Sequence, residues 1–137
     1  MPVKRVSPDD ALELMRKQGY VYVDVRSIPE FEEGHPEGAY NVPLAHLGPR
    51  GMAPNTEFMT VMEKHFPKDA KIVVGCKSGG RSLQAATILL SSGYTDVIDQ
   101  RAGFSGSHEP GWVQVGLPTA KDAPVDHTFA GLGGKTK

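Results

Sequence analysis

The chain has 137 residues, 39% of them hydrophobic and 23% charged, proportions that fit one folded domain and exclude a collagen-like or wholly disordered chain. Fifteen basic residues against sixteen acidic ones leave a formal charge of -1, so no global positive field points to nucleic acid or an anionic membrane as a partner. Cys76 is the single cysteine, which excludes an internal disulfide and any multi-cysteine metal site within the chain. The opening MPVKRVSPDD lacks the apolar core of a signal peptide, and no apolar stretch nears the roughly 20 residues of a membrane span. A cytoplasmic protein is the expectation.

Ser7-Pro8-Asp9-Asp10 has the composition of a helix start: a capping hydroxyl, proline in the first turn and acids at the positive end of the dipole. This helix should run to Gly19. Tyr20 to Val25 then turns to strand composition, with Asp24 and Arg26 at its far end. The stretch from Ser27 to Leu47 is rich in prolines, glycines and acids; it reads as loop, with a helical patch at Glu30 to Glu33 and a short strand near Ala39 to Val42. Asn55 is placed to cap a helix whose Phe58, Val61, Met62, His65 and Phe66 recur at helical spacing until Pro67. Ile72-Val73-Val74 suits a strand buried on both faces of a parallel sheet. A glycine-rich turn follows, then a helix from Leu83 to Ser92 stopped by Gly93, and a strand at Asp96 to Asp99. Alternating strands and helices predict an α/β fold with a largely parallel sheet. Gly111 to Pro118 closes the domain with a helical turn around Trp112. Residues 119–137 are polar and glycine-rich, and read as a mobile tail.

The turn after the third strand, Gly75-Cys76-Lys77-Ser78-Gly79-Gly80-Arg81-Ser82, carries the clearest chemistry. A cysteine is nucleophilic as thiolate, a form favoured by nearby cations or a helix N-terminus. Lys77 and Arg81 flank the thiol, the glycines let backbone N–H groups turn inward, and the following helix points its positive end at the same spot. Such a loop can hold an anion against sulfur without a metal. The plain alternative is a buried structural cysteine. A second is a nucleotide phosphate loop, since Gly75 to Ser82 fits G-x-x-x-x-G-K-[ST] except where Arg81 stands for lysine. His46, His65, His108 and His127 show no metal-ligand spacing.

Two separated motifs resemble the single-domain members of the rhodanese family of sulfurtransferases. Asp24-Val25-Arg26-Ser27, Glu30-Phe31 and Gly34-His35-Pro36-Glu37-Gly38-Ala39-Tyr40-Asn41-Val42-Pro43 resemble the pattern D-x-R, E-F, G-H-I-P-G-A-x-N-x-P, and Cys76 to Ser82 resembles the loop C-x-S-G-x-R-S. The resemblance covers Val3 to Pro118, which gives a domain over 1–118 and the tail over 119–137. It implies an α/β three-layer sandwich around a mainly parallel five-stranded sheet. It also implies a Cys76 that cycles between thiol and persulfide, taking a sulfane sulfur from thiosulfate or a related donor and passing it to cyanide or a thiol.

By the same resemblance, the partners are a small-molecule donor and acceptor, with a protein sulfur acceptor as a further option. No cofactor or metal is needed beyond the covalent persulfide. Cys76 is the nucleophile, Lys77 and Arg81 orient the anion, and the backbone of Lys77, Ser78, Gly79, Gly80, Arg81 and Ser82 forms the cradle. Asp24, Arg26, Glu30 and His35 are implied to hold the architecture. Two rivals stand beside this reading: a persulfide carrier or regulatory domain, and a cysteine phosphatase or arsenate reductase, whose loops carry one more residue between cysteine and arginine than the four found here. Pro36-Glu37-Gly38, Ala102 and the insertion at Ser107 to Pro110 depart from the family pattern and bear on the site rim.

Overall fold

The computed structural model describes residues 3–135. In chain order its elements are β1 (Lys4–Val6), α1 (Pro8–Gln18), β2 (Val21–Asp24), α2 (Ile28–Glu33), β3 (His35–Pro36), β4 (Tyr40–Asn41), β5 (Ala45–Gly48), β6 (Gly51–Pro54), α3 (Phe58–His65), β7 (Ile72–Gly75), α4 (Gly80–Ser91), β8 (Val97–Gln100) and β9 (Thr119–Ala120), followed by a single 3-10 turn at Val125–His127. Five strands form one sheet in the order β1-β8-β7-β2-β4, and every neighbouring pair in it is parallel.

Alternation along the strands sorts the core into two layers. Val23, Val25, Ile72, Val74 and Val97 join Phe58, Val61 and Met62 of α3 and Ala85, Ala86 and Leu89 of α4 in one cluster. Tyr22, Val73 and Ile98 join Ala11 of α1, Phe31 of α2 and Trp112 in the other. The result is a three-layer α/β sandwich. The strands share one direction, so their C-terminal ends line up, and the turn after β7 lies on that edge, the usual place for a site in such folds.

Local signals act as expected at α1, where Ser7 Oγ accepts a hydrogen bond from Asp10 N at 3.2 Å and Gly19 closes the helix in the left-handed region at φ 74°. Elsewhere tertiary contacts move the boundaries. α4 begins at Gly80, three residues before the sequence reading, because the glycine pair is part of the first turn. Asn55 does not cap α3; its Oδ1 accepts from Glu57 N at 3.0 Å, and the helix starts at Phe58. The Trp112 segment is a run of turns. The strand β1 and the β5/β6 hairpin have no signal in the sequence: β1 is a short edge strand beginning Lys-Arg, and Gly51–Pro54 is exposed throughout.

Residues 119–135, read from the sequence as a mobile tail, are packed on the domain; 136–137 lie outside the described residues. β9 pairs antiparallel with β3, and Phe129 and Leu132 are buried in the α3/α4 layer. Phe129 is 1% exposed. His127 stacks on Tyr40 with centroids 3.7 Å apart, and His65 Nε2 lies 2.6 Å from Leu132 O. The rest of the segment is half-buried or exposed, in keeping with its polar composition; two large side chains suffice to anchor it. Among the described residues no helix is long and apolar enough to cross a membrane.

Candidate active site

Chain geometry at the end of β7 leaves little choice of residue. A side chain at Gly75 would overlap the Tyr22 hydroxyl, so the strand ends on a glycine and the next residue, Cys76, turns toward α4. Cys76 is 2% exposed. Its Sγ accepts a hydrogen bond from Gly79 N at 3.1 Å and, as a thiol, donates to Ser82 Oγ at 3.4 Å. Gly79 has φ 107°, and a Cβ there would overlap Arg101 O, so only glycine lets this N–H face the sulfur. The first turn of α4 begins at the following residue, which adds the positive end of a helix dipole beside Sγ.

The loop is held from outside by the segment after β8. Cys76 O accepts from Phe104 N at 2.8 Å and Lys77 O accepts from Ser105 N at 2.9 Å. Gly103, at φ 75°, lies against the Lys77 carbonyl with no room for a Cβ. Gln100 folds this turn: its Oε1 accepts from Ala102 N and Gly103 N, both at 2.9 Å, and its Nε2 donates to Gly103 O at 3.0 Å. Gln100 and Gly103 therefore support the site, although neither stood out in the sequence. A polar residue closing the apolar run Val97-Ile98 was the available signal.

Of the residues singled out in the loop, Lys77, Ser78 and Gly80 are exposed, while Gly79 and Ser82 are buried. Ser82 Oγ also donates to Gly79 O at 3.2 Å. Arg81 reaches across the site to Glu30, with Nη1 to Oε1 at 2.7 Å and Nη2 to Oε2 at 3.1 Å. Glu30, first through these hydrogen bonds and then through its charge, holds the Arg81 proton more tightly than usual against the opposing effect of burial. Burial by itself would raise the Glu30 carboxyl; hydrogen bonds from Arg81, from Ser27 N and from the Ser27 hydroxyl outweigh it and bring the pKa down to about 2. Glu30 thus joins the two sequence motifs across 51 positions. Arg81 also borders a cleft of about 470 Å³ whose wall includes Leu44, Met52, Phe58, Met59 and Ile88. On the opposite side, Ser78, Gly79 and Gly80 line a second cleft of about 580 Å³ with Arg5 and Arg101.

The other motif residues make no hydrogen bond to the sulfur among the described residues. Arg26 Nη2 bonds Asp24 Oδ2 at 2.7 Å and Gly34 O at 2.6 Å, and its guanidinium lies 4.3 Å over the Phe104 ring. His35 is buried, stacked on Phe31, with Nδ1 2.8 Å from Phe31 O and Nε2 3.1 Å from Asp122 O. Among the described residues no group of three His, Cys, Asp or Glu side chains could hold a metal ion.

Comparison with known proteins points one way. The family profile described as a rhodanese-like domain matches residues 7–109. A chloroplastic protein of Arabidopsis thaliana, thiosulfate sulfurtransferase 16, is 45% identical over 101 residues, 74% of this chain and 80% of its own. Thiosulfate sulfurtransferase GlpE of Haemophilus influenzae is 34% identical over 118 residues, 86% of this chain and 95% of its own. Other relatives are longer: the chain spans 54% of the senescence-associated protein DIN1 of Raphanus sativus, at 40% identity over 76% of this chain. Among solved structures, Rv0390 from M. tuberculosis superposes with a TM-score of 0.76 at 26% identity, covering 89% of this chain and all of the other.

Proposed function

The chain belongs to the rhodanese-like domain family, and from that premise we propose that it is a thiosulfate sulfurtransferase working through a persulfide on Cys76. The observation that carries this reading is the sulfur itself: Cys76 Sγ sits at the floor of a glycine-lined turn, with Gly79 N aimed at it from 3.1 Å and the start of α4 beside it. Backbone dipoles fixed before the reaction stabilise negative charge on sulfur without reorganisation. Two relatives named thiosulfate sulfurtransferase, at 45% and 34% identity, support the same chemistry.

In the first half-reaction the Cys76 thiolate attacks the outer sulfur of thiosulfate. The S–S bond of the donor breaks, sulfite leaves with its electron pair, and a cysteine persulfide remains. In the second, a thiolate or cyanide attacks the outer sulfur, and Cys76 leaves as thiolate. Lys77, exposed at the rim, attracts the anionic donor. Arg81 steadies the developing charge while it stays paired with Glu30. The turn has four residues between Cys76 and Arg81, a short path that closes around sulfur rather than around a tetrahedral phosphate.

The test is intact-mass spectrometry after incubation with thiosulfate. One added sulfur atom on the wild type, removed by a reducing thiol and absent from Cys76→Ser, is the expected result. A protein that takes the sulfur but never turns over with any thiol or cyanide would be a carrier instead. Aryl phosphate hydrolysis exceeding sulfur transfer would overturn the assignment.

A further inference from the structure

Gln100, the last residue of β8, is 0% exposed, and its side chain makes four hydrogen bonds, none of them to Cys76. Oε1 accepts from Ala102 N and Gly103 N, both at 2.9 Å. Nε2 donates to Gly103 O at 3.0 Å and to the Tyr22 hydroxyl at 3.3 Å. That hydroxyl lies against Gly75, where a Cβ would overlap it. A buried amide whose two hydrogens and two lone pairs are all taken fixes the groups around it rather than merely filling space.

The effect passes along peptide planes. In a trans peptide the C=O and the N–H point in opposite directions, and the peptides of this turn are trans. Gln100 Nε2 holds Gly103 O, so Phe104 N, in the same peptide, faces away from Gln100 and donates to Cys76 O at 2.8 Å. With Cys76 O held, the Lys77 N–H of that peptide faces away from Phe104. Ser105 N, bonded to Lys77 O at 2.9 Å, turns the Ser78 N–H in the same manner. Phe104 packs with the layer of α1 and α2, whereas Cys76 belongs to the layer of α3 and α4. The two N–H groups are therefore turned to the side of the sulfur, and neither has an acceptor among the described residues.

We propose that Gln100 is a positioning residue for the reaction: by holding Gly103 O it aims the Lys77 and Ser78 N–H groups into the cradle, where they stabilise negative charge on sulfur. This rests on the sulfurtransferase reading above and names a residue of another strand that sets the shape of the cradle. Donors fixed before the charge appears stabilise it without reorganisation, and donors free to swing do not. Trp112 N also donates to Gly103 O at 2.9 Å, so the competing account is that Trp112 holds the turn and Gln100 adds stability alone.

The test compares wild type, Gln100→Leu and Gln100→Glu, with Phe129→Ala as a destabilised protein whose site is intact. Two rates are measured per folded molecule from pH 5 to 9: single-turnover persulfide formation at saturating thiosulfate, and Cys76 alkylation by iodoacetamide. Amide hydrogen exchange is read at Phe104 and Ser105 against wild type at the same pH. Gln100→Leu keeps the volume and removes all four bonds. Both rates should fall roughly tenfold at every pH, less than the about hundredfold or more that deleting an oxyanion donor costs, because two donors lose aim and none is removed. Half-saturation by thiosulfate should change little, and Phe104 and Ser105 should exchange faster.

A protonated glutamic acid reproduces the amide pattern, one oxygen accepting and the hydroxyl donating to Gly103 O, whereas a carboxylate repels that carbonyl. Gln100→Glu should therefore match wild type at pH 5 and approach Gln100→Leu by pH 9, as the introduced carboxyl, raised by burial, ionises. The titratable group bonded to Gln100 is Tyr22 of β2, whose proton burial, and behind it the charge of Asp24, hold throughout this range.

Gln100→Leu rates equal to wild type, or lowered no more than in Phe129→Ala, overturn the proposal. So does a lowered rate with Phe104 and Ser105 still protected, and so does a Gln100→Glu profile parallel to wild type. If Gln100→Leu does not fold, Gln100→Glu carries the test: its rate must fall over the same pH interval in which the two amides lose protection, and a fall with both protected is an effect of charge alone and overturns it. Should thiosulfate fail to load the wild type, the sulfurtransferase reading falls, while alkylation and exchange still decide whether Gln100 positions the loop.

Discussion

The turn after β2 and the turn after β7 are assembled from similar parts: an arginine, a carboxylate, glycines and the end of a parallel strand. Their outcomes differ. In the first, Arg26 and Asp24 are sealed, with side-chain exposures of 5% and 2%, and the guanidinium is bonded further to Gly34 O and stacked over Phe104. Asn41 Nδ2 donates to both Asp24 O and Arg26 O at 3.0 Å. In the second, Arg81 and Glu30 stay about one fifth exposed beside a cleft, Lys77 and Ser78 face solvent, and on the neighbouring strand β8 a buried oxygen of Asp99 lacks a donor among the described residues. A turn whose polar groups are all committed holds the chain in place. One with uncommitted groups around a thiol has capacity for chemistry.

Substitutions on the two sides should therefore fail in different ways. Cys76→Ser has the largest expected effect on activity: sulfur transfer disappears, because a serine hydroxyl forms no persulfide, while the melting temperature stays within a few degrees of wild type. Residual thiosulfate:cyanide transfer in a folded Cys76→Ser protein would mean that the thiol is not the reacting group.

Asp24→Ala acts on the sealed turn and should lower stability by about 3 to 5 kcal/mol, since it strands the buried Arg26 charge. Denaturant unfolding measures it, and a loss below 1 kcal/mol would show that Gly34 O and Phe104 satisfy the guanidinium alone.

Phe129→Ala tests whether the C-terminal segment belongs with the sealed region. Deleting a buried phenylalanine should cost about 3 kcal/mol and lower the melting temperature by roughly 10 °C, with sulfur transfer per folded molecule preserved. A melting temperature equal to wild type would mean that the segment is not docked in solution.

Glu30→Gln sharpens the link between the turns. The folded Glu30 carboxyl titrates at about 2 against an ordinary 4.5, so the folded state binds the proton less well than the unfolded chain. Its contribution is complete above pH 4.5 and is lost as pH falls through 2. The pair is partly open to water, so the variant should lose only about 1 kcal/mol at neutral pH. Its stability should fall less steeply than wild type between pH 4.5 and 2, as followed by acid unfolding.

Smallest of all, Leu47→Ala at an exposed position of β5 in the β5/β6 hairpin should change stability by less than about 0.5 kcal/mol.

Sequence alone determined a good deal of this. The Ser7 cap, the Gly19 stop and the apolar runs at 21–25 and 72–74 act over a few residues, so their signals survive without tertiary information, and the alternation of strands and helices follows from them. The spacing of Cys76, Gly79, Gly80 and Arg81 was likewise enough to mark the loop in which Gly79 N meets the sulfur.

The tertiary structure decided what depends on distant neighbours. Composition could not show that Phe129 and Leu132 anchor residues 119–135, because a few buried side chains outweigh many polar ones only once a groove exists to receive them. Nor could the sequence reveal that Arg81 pairs with Glu30, that Gln100 folds the turn against the loop, or that Arg5 pairs with the buried Asp99. These contacts join positions brought together by strand order, and strand order is set by the packing of the whole sheet rather than by any local run of residues.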